Sequence, residues 1–385
     1  MRIAFDAKRA FHNQTGLGHY SRTLIRSLAT AYPEHEYLLF TPKEYGLFNF
    51  SDLKMVRTVL PDDWLSKKLP SYWRRKRINL QLKKTAPDIF HGLSHELPLG
   101  IEKTSIKSVV TMHDLIFERY PDQYKAVDRF IYRKKFMHAC RIADTVIAIS
   151  QQTRNDLIEL YKVPAEKIVV CYQSCNPAFA DPVSESVRLQ VRNRYQLPKS
   201  YLLYVGSVVE RKNLLGLCKA FDIIRNDTDL PLVIIGSGGA YLQKVKAFLK
   251  EKQLEDRCIF LSETAAAKAS ADFQTARDLP AIYQQAAAMV YPSFYEGFGI
   301  PVLEALWSGI PVVTSDCSCL PEAGGPGAFY ADPGNAQEIA EQICTILFDS
   351  KEVERKRALY QEHLQHFTNA CTADGVMNVY KNLMK

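Results

Sequence analysis

Glu296 and Glu304 bracket a glycine-bearing turn that reads Glu296-Gly297-Phe298-Gly299-Ile300-Pro301-Val302-Leu303-Glu304. An apolar run at 287–291 leads into it, and Pro301 marks a helix near its first position, where a missing N–H costs nothing. The first amides of a helix lack intrahelical acceptors, so they form an anion site. Gly297 and Gly299 let the backbone approach a ligand closely, which brings the amides of Phe298, Gly299 and Ile300 within reach of a phosphate. Such amides, flanked by carboxylates that accept hydroxyl hydrogens, suit a sugar nucleotide. An ordinary strand–turn–helix connection fits the same spacing, so the choice rests on the other segments.

Several of those segments carry compatible chemistry. Arg211-Lys212-Asn213 follows a strand-like run that ends at Val205-Gly206. Arg clamps phosphate oxygens in a fork and Lys supplies a point charge, although an exposed Arg-Lys pair is also ordinary surface. His113 stands at the carboxyl end of the run 109–112, where it can bond a substrate hydroxyl or serve structure alone. Gly16 and Gly18 lie in a loop, Thr15-Gly16-Leu17-Gly18-His19-Tyr20, that falls short of a full dinucleotide fingerprint. Gly236 ends the run 232–235 with a permissive turn. Asp227-Thr228-Asp229 precedes a strand rather than following one, so it is not read as a metal site, and no other metal ligands are assigned.

The string from Glu296 to Ala305 resembles the donor-site motif of retaining glycosyltransferases of the GT-B fold, in particular glycosyltransferase family 4. Thr111-Met112-His113-Asp114-Leu115 is similar to that family's His-Asp element, and Gly206-x4-Arg211-Lys212-Asn213 to its cation motif. Many members have Arg directly after that glycine, where this chain has Ser207. The resemblance implies roles for each residue. His113 would lie beside the transferred sugar, Arg211 and Lys212 would neutralise the departing diphosphate, Glu296 would hold sugar hydroxyls and Glu304 the ribose. Gly16 and Gly18 would approach the diphosphate and the acceptor, while Gly206 and Gly236 would border the donor. It also implies a hexosyl transfer that needs no metal or cofactor. The leaving phosphate would accept the acceptor's proton. The glycine loop at 15–20 together with Arg-Lys-Asn looks most like mannosyltransferase branches, so GDP-mannose is the expected donor, with UDP-glucose and UDP-N-acetylglucosamine open. The segment 262–277 looks like an insertion and reveals nothing of the base.

These groups need a scaffold. Apolar runs at 2–6, 37–41, 89–91, 108–112, 146–150 and 168–171 alternate with amphipathic stretches such as 20–31 and 151–161. A second series follows at 201–205, 232–235, 259–261, 288–291, 312–315 and 329–330. Strands alternating with helices predict parallel sheets, and two series predict two Rossmann-like α/β domains facing across a cleft. Prolines at 177, 182 and 198 interrupt the pattern, giving an acceptor-side domain at 1–178, a donor domain at 190–370 and a terminal helix, 371–385, returning to the first.

At 385 residues, 47% hydrophobic and 24% charged, the chain has the composition of a globular protein. It has no apolar run long enough to span a bilayer, no signal-peptide core and nine scattered cysteines without metal spacing, so a reduced, cytoplasmic protein is expected. Residues 1–180 carry 28 Lys+Arg against 18 Asp+Glu, and the remainder 21 against 24. The first half should therefore meet an anion. Lys67, Lys68, Arg74, Arg75, Lys76 and Arg77 fall in an acid-free stretch, 64–84, interleaved with Trp64, Tyr72, Trp73 and Leu80. One reading is a solvated face. Another is a peripheral contact with the inner face of an anionic membrane, with a saccharide or lipid-linked acceptor presented there. No nucleic-acid module accompanies the patch, so nucleic acid is not the expected partner. A GT-B epimerase and a basic nucleic-acid-binding protein are the alternatives. A phosphorylase of that fold needs a lysine placed for pyridoxal phosphate, and no such motif is present.

Overall fold

Short apolar segments, most of them buried on both faces, pair in parallel throughout the molecule. The computed structural model describes residues 1–385, and two units separate within it: Met1–Ser174 with Phe367–Lys385, and Cys175–His366. In the first, β1 (Arg2–Asp6), β2 (Glu36–Phe40), β3 (Val56–Val59), β4 (Ile89–Gly92), β5 (Lys107–Met112), β6 (Thr145–Ala148) and β7 (Ile168–Val170) form one sheet. Its order is β3-β2-β1-β4-β5-β6-β7. The second unit contains β8 (Leu202–Val205), β9 (Leu232–Ile235), β10 (Cys258–Phe260), β11 (Ala288–Tyr291), β12 (Val312–Ser315) and β13 (Phe329–Ala331), ordered β10-β9-β8-β11-β12-β13.

Each sheet thus reverses its strand order once, between β1 and β4 in the first unit and between β8 and β11 in the second. Helices leave on opposite sides of such a point and open a crevice at the strands' carboxyl ends, where ligands bind. Every strand except β3 coincides to within two residues with an apolar run in the sequence. β3 was not expected: only Val56 of its four residues is buried, as suits a sheet edge.

Local chemistry sets the helix limits. Ser150 caps the helix Gln151–Tyr161 by accepting from the Thr153 amide, and Lys162 ends it in the left-handed conformation. The terminal helix Asn369–Leu383 belongs to the first unit, where Tyr380 reaches His91 and Asp374 accepts from the Tyr32 hydroxyl. The expected insertion folds as two short helices, Ala265–Ala269 and Ala271–Gln274, capped by Thr264 and Ser270.

The glycine segment at 15–20 is not the expected loop. Thr15 precedes the helix Gly16–Ala31, and both glycines occupy its first turn. A Cβ on Gly18 would lie 1.9 Å from the Asn13 carbonyl oxygen, so glycine there lets the helix pack on its own lead-in. Gly16 has open space around it.

Candidate functional site

In the second unit, residues that leave β8 and β11 converge beside the reversal point. Arg211 and Lys212 follow β8, while Ser293 and Glu296 follow β11. Glu296 Oε2 lies 2.9 Å from Arg211 Nη1, and its Oε1 lies 2.9 Å from Lys212 Nζ. Oε1 also accepts from the Tyr291 hydroxyl at 2.9 Å and from Ser293 Oγ at 3.1 Å. Arg211 donates further to the Tyr295 carbonyl, and Lys212 to the Tyr291 hydroxyl, with its ammonium 4.8 Å from the centre of that ring.

Arg211 and Glu296 are only 9% and 8% exposed. Burial alone would raise the Glu296 pKa, but Lys212 and Arg211 outweigh it and hold the carboxyl down at about 2. The cluster therefore stays ionised at neutral pH. The loop around it is pinned: Phe294 N donates to the Arg211 carbonyl at 2.8 Å, Glu296 N to Ser318 Oγ at 3.2 Å, and Cys319 Sγ to the Glu296 carbonyl at 3.0 Å. Such bracing fixes the charges before any ligand arrives.

Around the cluster the backbone is shaped for close approach. A Cβ on Gly236 would sit 1.9 Å from the Gly206 carbonyl oxygen, because the turns after β8 and β9 press together there. Gly206 itself borders Lys212. Gly299, at φ +110°, caps the helix Ile300–Trp307 in a conformation costly for any side chain. Gly297 needs no such backbone, and the Phe298 side chain is buried. Glu304 projects from the second turn of that helix and accepts from the Tyr283 hydroxyl at 2.9 Å. Burial raises its pKa from 4.5 to about 7, against a smaller opposing effect of the Tyr283 bond.

His113 lies in the first unit, just past β5. Its Nε2 is 2.9 Å from the Leu93 carbonyl, which can only accept, so the proton is on Nε2 and Nδ1 is left as the acceptor. The His113 amide donates to His95 Nε2 at 2.9 Å, and the Tyr20 ring meets the imidazole edge-on at 4.6 Å. His91 bridges Thr111 and Tyr380 nearby. Burial depresses all three histidines, His113 to about 4 and His91 to about 3, and His95 also lies well below its ordinary value. They are neutral at pH 7. Tyr283, Tyr291, Ser293, His91 and His95 escaped the sequence reading, since a tyrosine or histidine in an apolar run carries no signal of its own.

The basic stretch divides in two. Arg74 is not a surface cation: its guanidinium is buried against Asp6, with Nη2 at 2.5 Å from Oδ2 and Nε at 3.1 Å from both oxygens. Arg77 lies 3.4 Å from Asp63 and is half-buried. Within the π-helical turn Trp73–Arg77, Trp73 is buried and Arg74 turns inward to Asp6, while Arg75 and Lys76 stay outside. Lys67 and Lys68 are exposed too, and Lys68 sits over the ring of Trp64, itself 67% exposed. Leu69, Tyr72 and Leu80 are exposed as well. No helix is long and apolar enough to cross a membrane.

Comparison with known proteins accords with this geometry. Residues 15–179 match glycosyltransferase family 4, and residues 188–362 match the glycosyl transferases of group 1. The O-antigen chain mannosyltransferase B of Escherichia coli is 30% identical over the full length of both chains. The chain belongs to this glycosyltransferase family. O-antigen chain mannosyltransferase RfbU of Salmonella typhimurium is 27% identical, over 72% of this glycosyltransferase and 69% of its own length. The crystal structure of Anabaena HepE in complex with UDP and glucose superimposes with a TM-score of 0.73 at 18% identity, covering 99% of this chain and 100% of that one. The fold is accordingly GT-B, built here from a seven-stranded and a six-stranded parallel unit.

Proposed function

We propose that this glycosyltransferase moves a mannosyl residue, with retention of anomeric configuration, from GDP-mannose to a lipid-linked saccharide in surface-glycan synthesis. The observation that carries the donor chemistry is the pinned Arg211–Lys212–Glu296 cluster beside the reversal between β8 and β11. In the proposed step the bond from the sugar's C1 to the phosphate oxygen breaks, and its electron pair leaves with the diphosphate. Arg211, Lys212 and the helix-start amides of Phe298, Gly299 and Ile300 stabilise that charge. The acceptor hydroxyl attacks C1 from the same face and passes its proton to the departing phosphate. No metal takes part, since two fixed cations already meet the developing charge.

Glu296 then has two tasks, holding Arg211 and Lys212 in place and accepting a sugar hydroxyl. Glu304 accepts from the ribose. His113 accepts a sugar hydroxyl at Nδ1, as its Nε2 proton is committed to Leu93. The mannosyl assignment is supported by the relatives named as O-antigen chain mannosyltransferases. Peripheral attachment to an anionic membrane is supported by Lys67, Lys68, Arg75 and Lys76, with Trp64, Leu69 and Tyr72 among them. A panel of nucleotide sugars, scored for thermal stabilisation and slow hydrolysis, tests the reading, because a ligand bound by the native state raises its melting temperature. GDP-mannose is expected to lead on both scores. Stabilisation by UDP-sugars alone would overturn the base and sugar assignment, and a β-configured mannoside product would overturn retention.

A further inference from the structure

Two adjoining cavities in the first unit are not used by the donor chemistry. The smaller, about 350 Å³, opens at the reversal between β1 and β4 and includes Asp6, Lys8, Arg9 and Glu96 in its wall. The larger, about 720 Å³, lies over the carboxyl half of the helix Ala126–Ile142 and the turn that precedes β7. Arg75, Leu99, Lys134 and His138 line both, so the two spaces adjoin at those side chains.

Their charges are unbalanced. The smaller cavity has two carboxylates, and each is already engaged: Asp6 by Arg74 at 2.5 Å, Glu96 by Lys135 at 3.0 Å and Arg74 at 3.6 Å. Lys8, Arg9, Arg75 and Lys134 have no carboxylate at ion-pair distance. In the larger cavity no carboxylate is present, and Arg141, Lys162 and Lys167 add to its positive charge. Its apolar lining includes Leu99, Met137, Val163 and Pro164. Beside it the helix Ala126–Ile142 buries only Phe136, Ala139 and Cys140 and leaves Val127 and Phe130 69% and 58% exposed. Cations set among apolar side chains, beside an exposed apolar surface, complement an anion joined to a hydrocarbon chain. A nucleic acid would leave the apolar lining without a partner.

We propose that these adjoining cavities bind the phosphorylated end of a lipid, the carrier of the acceptor saccharide. The phosphate oxygens lie between Arg75 and Lys134, where the cavities meet. The first part of the hydrocarbon chain runs along Leu99, Met137, Val163 and Pro164. The saccharide extends towards Asp6 and Glu96 at the β1–β4 reversal. The inference rests on the lipid-linked acceptor proposed above and gives that acceptor its binding site.

Titration calorimetry with farnesyl diphosphate, pyrophosphate and farnesol, run on the full chain with the donor site filled by saturating GDP, tests it. Farnesyl diphosphate is expected to bind at least tenfold more tightly than either of its halves. A double variant, Lys134→Glu with Arg141→Glu, changes two exposed side chains and should weaken that binding by about tenfold or more. Met137→Ser, which removes apolar contact without adding charge, should weaken farnesyl diphosphate while leaving pyrophosphate unchanged. Equal affinity for pyrophosphate and farnesyl diphosphate would reduce the cavity to a simple anion site and overturn the proposal. So would unchanged binding in the double variant, or displacement of the probe by an oligonucleotide at similar affinity. Nucleotide-sugar binding, measured separately on the same protein, reports on the donor reading, so failure of either leaves the other visible.

Discussion

The two units bury polar clusters of opposite character. In the second unit, Arg211, Lys212 and Glu296 keep their charges under protein because opposite charges meet at 2.9 Å. In the first, His91, His95 and His113 crowd together with no carboxylate partner, and burial strips all three of charge. The contrast follows from what burial permits. An ion survives in a low-dielectric setting only when it is paired and hydrogen-bonded, whereas a group that can shed its proton does so instead. One region therefore holds fixed charge suited to a diphosphate, and the other holds a neutral acceptor with a fixed tautomer, suited to a hydroxyl.

Removing the counter-charge tests the charged half most severely. Glu296→Gln leaves Arg211 and Lys212 buried without their partner, which should cost roughly 3–5 kcal/mol of stability. Chemical denaturation would measure it. The folded pKa of Glu296, about 2, lies below its ordinary 4.5, so the stabilisation is present above pH 4.5 and is lost as pH falls towards 2. A nucleoside diphosphate should restore part of the loss by supplying the missing negative charge. A variant as stable as the parent at pH 7 would mean that the pairing contributes little.

Lys212→Ala keeps the Arg211–Glu296 pair, so the fold should persist while kcat/KM falls by roughly 10²-fold. Steady-state transfer assays on the folded variant provide the check, and near-normal turnover would remove Lys212 from the step.

The neutral half calls for a smaller effect. His113→Ala should lower kcat/KM by roughly tenfold, the scale of a lost hydrogen bond to substrate. Because His113 has its pKa near 4, the parent's rate should show no histidine step between pH 6 and 8 from this residue. A step near 6.5 that vanishes in His113→Ala would show that the imidazole titrates there.

The smallest predicted change concerns Glu304. Its carboxyl, raised by burial to about 7, gains charge as pH rises through neutrality, and a carboxylate accepts ribose hydroxyls better than the neutral acid does. Nucleoside diphosphate affinity should rise a few-fold, about half a kcal/mol or more, between pH 6 and 8. Glu304→Gln should flatten that dependence. Identical pH profiles for both proteins would separate Glu304 from the nucleotide.

Much of the scaffold was readable from residues alone because central parallel strands are apolar on both faces and stand out as continuous runs. β3 was missed because Arg57 and Thr58 break its run at the sheet edge. The glycine segment was misread as a loop because two glycines near a helix start look the same whether they turn or pack. Arg74 illustrates a harder limit. Within Arg74-Arg75-Lys76-Arg77 nothing in composition separates the buried cation from exposed Arg75 and Lys76; the distant partner, Asp6, decides it. Arg211, Lys212 and Glu296 were each visible in separate strings, but their mutual pairing depends on the strand order, which juxtaposes β8 and β11 across 82 intervening residues.

The most direct test of the donor site compares two affinities by calorimetry, those of the donor's nucleoside diphosphate and of its monophosphate, in the parent protein and in Lys212→Ala. The diphosphate should bind the parent roughly tenfold or more tightly, as expected for an extra phosphate held by preorganised cations, and that preference should shrink to a few-fold in the variant. An undiminished preference for the diphosphate in Lys212→Ala would contradict the assignment of this cluster to the leaving group.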